Sequence, residues 1–331
     1  MRKQKTVLIT GITGFVGSHL ADYLLENTEY KVYGLKRVNS KLRNISHIQD
    51  KVTLINGELI DQTSLINVLK ISKPDYIYHL AALSWVAPSW DMPAAYMQVN
   101  AIGTINLFEA MRITGLKPRI LISCTPEEYG DVPKTLIPIT EETRLSPVNL
   151  YAASKAAQDA VCQAYQASYK FEVIRTRAFN HEGPRRDILG ALSSFAYQIA
   201  RIEKGLQEPV VKVGNLQARR NFTDVRDMVW AYFLAMEKGI PGELYLIGSN
   251  QIYTIKKCLE MLIALSPMWG KIKYGVETER VRPTDLHLLI GKFDKFEKLT
   301  GWKPKISFRE TLKSTLDYWR ELIDEDINNR R

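Results

Sequence analysis

Thr6-Val7-Leu8-Ile9-Thr10 leads directly into Gly11-Ile12-Thr13-Gly14-Phe15-Val16-Gly17, and an amphipathic stretch from Ser18 to Leu25 follows. This order predicts a β-strand, a glycine-rich turn and an α-helix. The glycines permit a tight turn, let backbone N–H groups approach a pyrophosphate and let the helix pack closely on the strand. The phosphates would lie at the positive end of the helix dipole. The residues predicted to bind a dinucleotide here are Gly11, Thr13, Gly14, Phe15, Val16 and Gly17.

Strand-like and helix-like segments alternate after this turn. The further predicted strands run from Lys31 to Leu35, Val52 to Asn56, Tyr76 to Leu80, Ile120 to Ser123 and Glu172 to Thr176. Helical patterns lie between them. Such alternation predicts an α/β fold, a Rossmann-type doubly wound parallel sheet that binds its ligands at the carboxyl ends of the strands.

The alternation of strands and helices becomes less regular after Asn180, where six prolines, from Pro184 to Pro304 inclusive, separate shorter elements. We expect a smaller, interleaved C-terminal substrate lobe there. Val225 to Met236 and Leu244 to Ile247 are expected to return to the first domain. The predicted division is therefore a nucleotide-binding Rossmann domain of residues 1–180, joined by about 224–250, and a sugar-nucleotide lobe of residues 181–223 and 251–331.

Tyr151 and Lys155 lie four residues apart in a segment with a helical pattern. That spacing places the phenol and the ammonium on one helix face. A phenol ordinarily ionises near pH ~10, and an adjacent cation favours the phenolate. The pair therefore predicts a base for proton transfer near neutrality, with the pKa of Tyr151 lowered by Lys155.

Composition narrows the class of protein. The net charge of +9 is consistent either with a well-solvated surface or with a positive cleft for an anionic ligand, and no basic run with interleaved aromatics suggests nucleic acid. The three cysteines show no metal-ligand spacing or disulfide framework, so neither a metal nor an oxidising compartment is predicted. No apolar run is long enough for a signal sequence or a membrane span. The sequence predicts a cytoplasmic protein.

The end of the second predicted strand reads Gly34-Leu35-Lys36-Arg37. NAD-binding proteins usually place a carboxylate at this point, where it bonds the ribose 2′-hydroxyl, whereas NADP-binding proteins place a cation near the 2′-phosphate. Lys36 and Arg37 therefore predict NADP as the cofactor.

Three loops at the same predicted sheet edge carry further polar groups. Small residues in Leu80-Ala81-Ala82 would let the backbone lie against the cofactor. Ser123 to Gly130 carries hydroxyl groups and two carboxylates, and Arg177 to Arg186 offers amide and guanidinium groups to an anionic ligand.

The GxxGxxG turn together with the YxxxK helix resembles the extended short-chain dehydrogenase/reductases. Within them, the chain resembles the GDP-mannose 4,6-dehydratase family and the reductases that act on its product. The resemblance runs from residue 5 to about 320. It rests on the loop after Gly34, on "NHEGPRR" at 180–186, on "RPTD" at 282–285 and on "GWKP" at 301–304.

This resemblance implies the roles of several residues. Glu58 and Leu59 would bind the cofactor, with Glu58 in place of the family's usual Asp, and so would Tyr151 and Lys155. Asn100 would support proton relay. The implied contacts to a GDP-sugar are Ser84, Asn180, Arg185, Arg220 and Arg282. Family members form dimers through a four-helix bundle, and some form tetramers. We therefore expect a homodimer or homotetramer through the helix face of Ala156, Ala160 and Ala164.

Glu127 separates the possible reactions. A dehydratase oxidises carbon 4 of the hexose, removes the carbon 5 proton with loss of the carbon 6 hydroxyl, and returns the hydride to carbon 6. Tyr151 and Thr125 would act at the carbon 4 oxygen and Glu127 at carbons 5 and 6. The family motif is Thr-Ser-Glu, so Pro126 is a departure that fixes φ and removes a donor. Glu128 is expected to be structural.

The sequence thus favours an NADP-dependent lyase acting on GDP-mannose or a GDP-manno-heptose. A reductase or epimerase of a GDP-4-keto-6-deoxy sugar is the alternative, since simple reduction needs only the tyrosine. A protein that binds NADP without turnover, as a sensor, is the second alternative.

Overall fold

The computed structural model of the protein describes residues 4–277, 280 and 286–328. Numbered in chain order, its strands are β1 Thr6–Thr10, β2 Lys31–Lys36, β3 Thr53–Asn56, β4 Tyr76–His79, β5 Arg119–Cys124, β6 Val173–Ala178, β7 His181–Glu182, β8 Val210–Val213, β9 Arg219–Asn221, β10 Thr223–Asp224, β11 Leu244–Ile247, β12 Ile252–Thr254, β13 Lys273–Val276 and β14 Leu288–Leu289.

The α-helices are α1 Phe15–Asn27, α2 Gln62–Ser72, α3 Pro88–Asp91, α4 Pro93–Tyr96, α5 Gly103–Thr114, α6 Leu150–Tyr169, α7 Ala191–Glu203, α8 Val225–Lys238, α9 Ile255–Ile263, α10 Asp294–Thr300 and α11 Phe308–Asn328. A π-helix spans Met97–Ile102. Short 3₁₀ helices span Arg43–Ile48, Pro126–Tyr129 and Lys134–Leu136.

Seven parallel strands form the central sheet in the order β11-β6-β5-β4-β1-β2-β3. The order reverses beside β1, which creates a crevice at the carboxyl ends of β1 and β4. The predicted doubly wound parallel sheet is confirmed, and the predicted strands end within two residues of the observed ones. The strand at Leu244 to Ile247 pairs with β6, so the chain does return to this sheet late in the sequence.

Both faces of the sheet are covered, as expected when crossover helices flank parallel strands. Successive side chains of β1 point to opposite faces, and Val7 and Ile9 belong to a different apolar core from Leu8. Helices α1 and α8 contribute to the first core, and α2, α5 and α6 contribute to the second. The sheet is therefore a rigid base for the loops at its carboxyl edge.

The glycine turn requires two of its glycines. Gly11 has φ of +76°, and a Cβ there would lie 2.9 Å from the backbone N of Ala81. A Cβ on Gly17 would lie 2.1 Å from the Gly11 carbonyl oxygen. The turn thus packs α1 closely on β1, as the glycine spacing predicts. It also packs against the loop after β4, which the spacing does not predict.

A separate apolar core lies in the later part of the chain, between α7, α9 and α11 with β8. Short sheets pair β8 with β13, and β9 with β12 and β14. The exact domain boundaries stay a prediction. None of the helices in the described part of the chain is long and apolar enough to cross a bilayer.

Candidate active site

A cleft of about 1160 Å³ opens along the carboxyl edge of the central sheet. Its walls come from the glycine turn, from the loops after β2 to β6 and from the region around α7 and β8. The predicted cofactor residues all line it: Gly11, Thr13, Gly14, Phe15, Val16, Gly17, Lys36, Arg37, Glu58, Leu59, Leu80, Ala81, Ala82, Tyr151 and Lys155. Thr125 and Glu127 line the same cleft.

Tyr151 and Lys155 lie on the first turns of α6, which starts at Leu150 because Asn149 caps it. The Asn149 side-chain oxygen accepts a hydrogen bond from Ala152 N at 2.8 Å. Lys155 is buried, and its Nζ donates to the backbone oxygen of Ser123 at the end of β5, 2.5 Å away. The pair is therefore held between α6 and the sheet edge.

The phenol of Tyr151 is harder to ionise than the sequence predicts. Burial raises its pKa above the ordinary value, the Thr125 hydroxyl lowers it through a hydrogen bond, and the Glu127 and Glu128 carboxylates raise it again. Burial also lowers the pKa of Lys155. The prediction of a lowered Tyr151 pKa is thus wrong for the chain by itself, because loss of solvation outweighs the hydrogen bond with Thr125.

The turn after β5 presents Thr125 and Glu127 to the cleft. Thr125 caps the 3₁₀ helix Pro126–Tyr129: its hydroxyl accepts from Glu127 N at 3.3 Å, and its own N–H donates to the Glu128 carboxylate at 2.9 Å. Pro126 occupies the first position of this helix, where a backbone donor is not needed. The departure from the family's serine therefore leaves Glu127 lining the cleft.

Asn149 holds the Glu127 carboxylate. Its side-chain nitrogen donates to Glu127 Oε2 at 3.2 Å, while its oxygen caps α6. One amide thus ties Glu127 to the helix of Tyr151. Asn149 is not among the residues predicted from the sequence, although an asparagine just before a helical pattern is a recognisable cap signal.

The floor of the cleft is built from backbone. Thr10 Oγ1 accepts from the N–H groups of Leu80 and Ala81, each at 3.1 Å, and fixes the loop after β4 against β1. No side chain in the part of the chain that the structure describes caps the N-terminus of α1, so the first N–H groups of this helix are available to an acceptor in the cleft. These features fit a dinucleotide with its pyrophosphate at the start of α1.

Lys36 and Arg37 line the cleft at the end of β2. Lys36 Nζ donates to Asn56 Oδ1 at 2.8 Å, and the Arg37 side chain is 70% exposed with its Nε 4.0 Å from Glu58 Oε1. So loose a contact leaves the Arg37 guanidinium able to turn toward a phosphate.

Asn100 lies on the π-helix and is fully buried. Its side chain accepts from Leu83 N at 2.8 Å and donates to Leu83 O and to Ser154 Oγ, each at 2.9 Å. It therefore connects the loop after β4 to the helix of Tyr151. The implied role of Asn100 in a proton relay stays a prediction.

The resemblance implies five residues that bind the sugar nucleotide, and only some of them line the cleft. Ser84, Asn180 and Arg220 line the cleft. Arg185 does not: with φ of +68° it points away, pairing with Asp22 at 2.6 Å. Arg282 lies outside the described residues.

Arg186, which is not among the predicted substrate-binding residues, lines the cleft in place of Arg185. Its guanidinium lies 5.3 Å from the Phe15 ring centre and 5.2 Å from the Trp85 ring centre, and its Nε lies 3.1 Å from Glu182. The turn after Pro184 decides which of the two adjacent arginines faces inward, and the sequence offers no signal for that choice.

The charge of the cleft favours an anion. Among the described residues, the lining cations are Lys36, Arg37, Lys155, Arg186, Lys212, Arg220 and Arg280, and the lining carboxylates are Glu58, Asp91, Glu127 and Glu182. Among the described residues no cluster of His, Cys, Asp and Glu has a geometry that could hold a metal ion.

A family model described as GDP-mannose 4,6 dehydratase matches residues 8–315. The chain belongs to the GDP-mannose 4,6-dehydratase family. This confirms the resemblance seen in the sequence, and members of this family are enzymes of nucleotide-sugar metabolism.

Individual relatives represent two reactions. A GDP-mannose 4,6-dehydratase from Sordaria araneosa is 33% identical over 98% of this chain, which spans 62% of that longer relative. A GDP-6-deoxy-D-mannose reductase from Pseudomonas aeruginosa is 29% identical over 97% of this chain and 99% of its own. The solved structure of RMD from Pseudomonas aeruginosa complexed with NADPH covers 96% of this chain and 99% of its own, with a TM-score of 0.82 and 29% identity.

Proposed function

We propose that the protein dehydrates a GDP-hexose, GDP-mannose being the favoured substrate, to the GDP-4-keto-6-deoxy sugar with NADP as cofactor. The observation that carries this proposal is Glu127, a second acid–base group that lines the cleft beside Tyr151 and Thr125. A reductase needs one proton-transferring group, and a dehydratase needs two. The family match and the net positive lining of the cleft support a nucleotide-sugar substrate.

Each side chain then has a defined task. Tyr151 takes the proton from the carbon 4 hydroxyl, and Thr125 hydrogen-bonds the same oxygen. Glu127 removes the carbon 5 proton, made acidic by the adjacent ketone, and delivers a proton to the departing carbon 6 hydroxyl. NADP, when bound, would supply the hydride acceptor for carbon 4 and the hydride for carbon 6. Carbon 5 regains one proton as the hydride reaches carbon 6, which balances the proton that Tyr151 took from the carbon 4 hydroxyl and leaves Tyr151 free for the next turnover. The sum is loss of one water with no net redox change, which makes the enzyme a lyase.

The raised pKa of Tyr151 fits this scheme if its ionisation depends on ligands. In the chain alone, burial keeps the phenol protonated. A cationic nicotinamide ring in the same cleft would stabilise the phenolate, since a nearby positive charge lowers the pKa of an acid. Tyr151 would then act as a base mainly when oxidised cofactor is present.

NADP as the cofactor is supported by Lys36 and Arg37 at the end of β2 and by the NADPH in the similar solved structure. The open N-terminus of α1 would hold the pyrophosphate. Arg186 and Arg220 are our candidates for the sugar-nucleotide phosphates, and Ser84 and Asn180 for the sugar.

Reduction of a GDP-4-keto-6-deoxy sugar is the second candidate. The Pseudomonas aeruginosa reductase matches the chain over nearly its full length, and Tyr151 with Thr125 would suffice for that reaction. A protein without turnover is disfavoured, because both members of the Tyr–Lys pair are present and lie in the cleft.

Two variants separate these possibilities in single-turnover experiments with GDP-mannose and NADP⁺. In Glu127→Gln we expect binding to survive and dehydration to fall by ~10²–10⁴, while NADPH and the 4-keto sugar accumulate. In Tyr151→Phe neither should appear. A Glu127→Gln enzyme that forms the 4-keto-6-deoxy product at the wild-type rate would exclude the assigned role.

A further inference from the structure

Glu128 is fully buried directly behind the proposed acid–base turn. One carboxylate oxygen accepts a hydrogen bond from the backbone N–H of Thr125 at 2.9 Å, and the other accepts one from Arg177 Nε at 2.9 Å. Both oxygens therefore face donors. An amide of the same shape would direct an N–H group at one of those donors, so the site is specific for a carboxylate.

Arg177 extends the contact to the helix of Tyr151. This arginine, at the end of β6, donates to Tyr129 Oη at 2.7 Å and pairs with Asp159 on α6. The Asp159 carboxylate also accepts a hydrogen bond from Arg175 Nη1 at 2.7 Å. Asp159 lies one helical turn after Lys155, on the same α6 that carries Tyr151. A continuous path of buried ionic contacts thus joins the turn after β5 to α6.

This arrangement has a geometric consequence for the cleft. The turn supplies Thr125 and Glu127 to the lining of the cleft, and α6 supplies Tyr151. The Asn149 amide holds the outer side of the turn through Glu127, and Glu128 holds its inner side through the Thr125 backbone. Loss of the inner contact would leave the Thr125 hydroxyl free to shift relative to Tyr151.

We propose that Glu128 is a positioning residue, which acts through the Thr125 N–H and through Arg177 to align Thr125 and Glu127 with Tyr151. The inference rests on the proposed roles of those three residues. It assigns Glu128 no contact with substrate. Misplacement of reacting groups by about 1 Å can cost ~10² in rate, so the effect belongs in kcat rather than in binding.

The test compares Glu128→Gln with Glu203→Gln. Glu203 makes a similar two-oxygen pair with Arg320, at 2.7 and 2.8 Å, and it does not line the cleft. Both variants lose one Glu–Arg pair and should melt at lower temperature. Only Glu128→Gln should lower kcat, by ~10-fold or more when the rate is divided by the concentration of cofactor-binding sites. Its affinity for NADP⁺ and its KM should stay within about threefold of the wild-type values. A kcat within about twofold of wild type would overturn the proposal.

Glu128→Asp covers the case in which Glu128→Gln does not fold. It keeps the buried negative charge and retracts the carboxylate by one methylene, so it cannot reach Thr125 N and Arg177 together. A folded Glu128→Asp protein should also lose kcat at unchanged KM, and full activity would refute the positioning role.

The assay reaction is whichever one the wild type performs, because Thr125 and Tyr151 would serve dehydration and reduction alike. Wild-type protein that reduces a GDP-4-keto-6-deoxy sugar but dehydrates nothing would refute the proposed function. The test of Glu128 would then proceed on reduction, so the two failures are distinguishable.

Discussion

We propose that the side chains of Lys36 and Arg37, at the end of β2, decide the choice of cofactor. We expect NADP(H) to bind at least tenfold more tightly than NAD(H), because a charge-assisted hydrogen bond to a phosphate contributes ~1.5–3 kcal/mol. Arg37→Ala should remove most of this preference, measured by fluorescence titration with both cofactors. Arg43→Ala, an exposed cation nearby that does not line the cleft, is the control. Equal wild-type affinities for the two cofactors would be incompatible with the assignment.

A second prediction at the scale of the residue concerns pH. The pKa of Glu128 is raised to about 7, mainly by burial. The Asp159 carboxylate on α6 also raises this pKa, whereas the Arg177 guanidinium on β6 and the Lys155 ammonium on α6 lower it. Glu128 therefore becomes protonated as the pH falls through about 7, and its contact to Arg177 weakens. The ratio of wild-type kcat to Glu128→Gln kcat should shrink toward one between about pH 8 and about pH 6. A ratio independent of pH would show that the ionisation of Glu128 does not matter.

Individual side chains also mark the limit of what the sequence predicts. The Tyr–Lys spacing locates the base, because helical periodicity alone sets which residues share a face. It does not give the direction of the Tyr151 pKa shift, which depends on burial by distant parts of the chain. The sequence also does not predict which of Arg185 and Arg186 faces the cleft, because that depends on the left-handed backbone conformation of Arg185.

At the scale of the element, the turn after β5 offers a test of Pro126. Pro126→Ser restores the family's Thr-Ser-Glu motif, and we expect kcat to stay within about twofold of wild type because Asn149 and Glu128 still hold the turn. Stability should fall by ~0.4–1 kcal/mol, since a proline at a compatible position restricts the unfolded chain. Urea unfolding followed by fluorescence measures this. An unchanged or higher free energy of unfolding would contradict it.

Elements with strong local signals were predictable. The alternation of strands and helices gave the central sheet, and the glycine spacing gave the turn into α1, because each depends on nearby residues. The π-helix Met97–Ile102 and the small sheet of β9, β12 and β14 were not predicted. Both depend on packing between segments far apart in the sequence, which no local pattern records.

At the scale of the whole molecule, exposed apolar side chains lie on two neighbouring helical segments. Met97 and Ile102 on the π-helix are 43% and 40% exposed, and Ala160 and Ala164 on α6 are also exposed. We propose that this surface forms a homodimer, with a tetramer as the larger alternative, since small residues allow helices to pack closely. Ala160→Glu should produce monomers in light scattering. Ile240→Glu, at an exposed site after α8, should not. Monomeric wild-type protein at micromolar concentration would rule this surface out as a stable interface.

The most direct measurement follows one deuterium atom through the reaction. GDP-mannose labelled at carbon 4 is incubated with the protein and a catalytic amount of NADP⁺, and the nucleotide sugar is analysed by mass spectrometry. Internal hydride transfer predicts a product lighter by one water that keeps the deuterium, now at carbon 6. An unchanged substrate mass, together with consumption of NADPH against a GDP-4-keto-6-deoxy sugar, would contradict dehydration and identify a reductase.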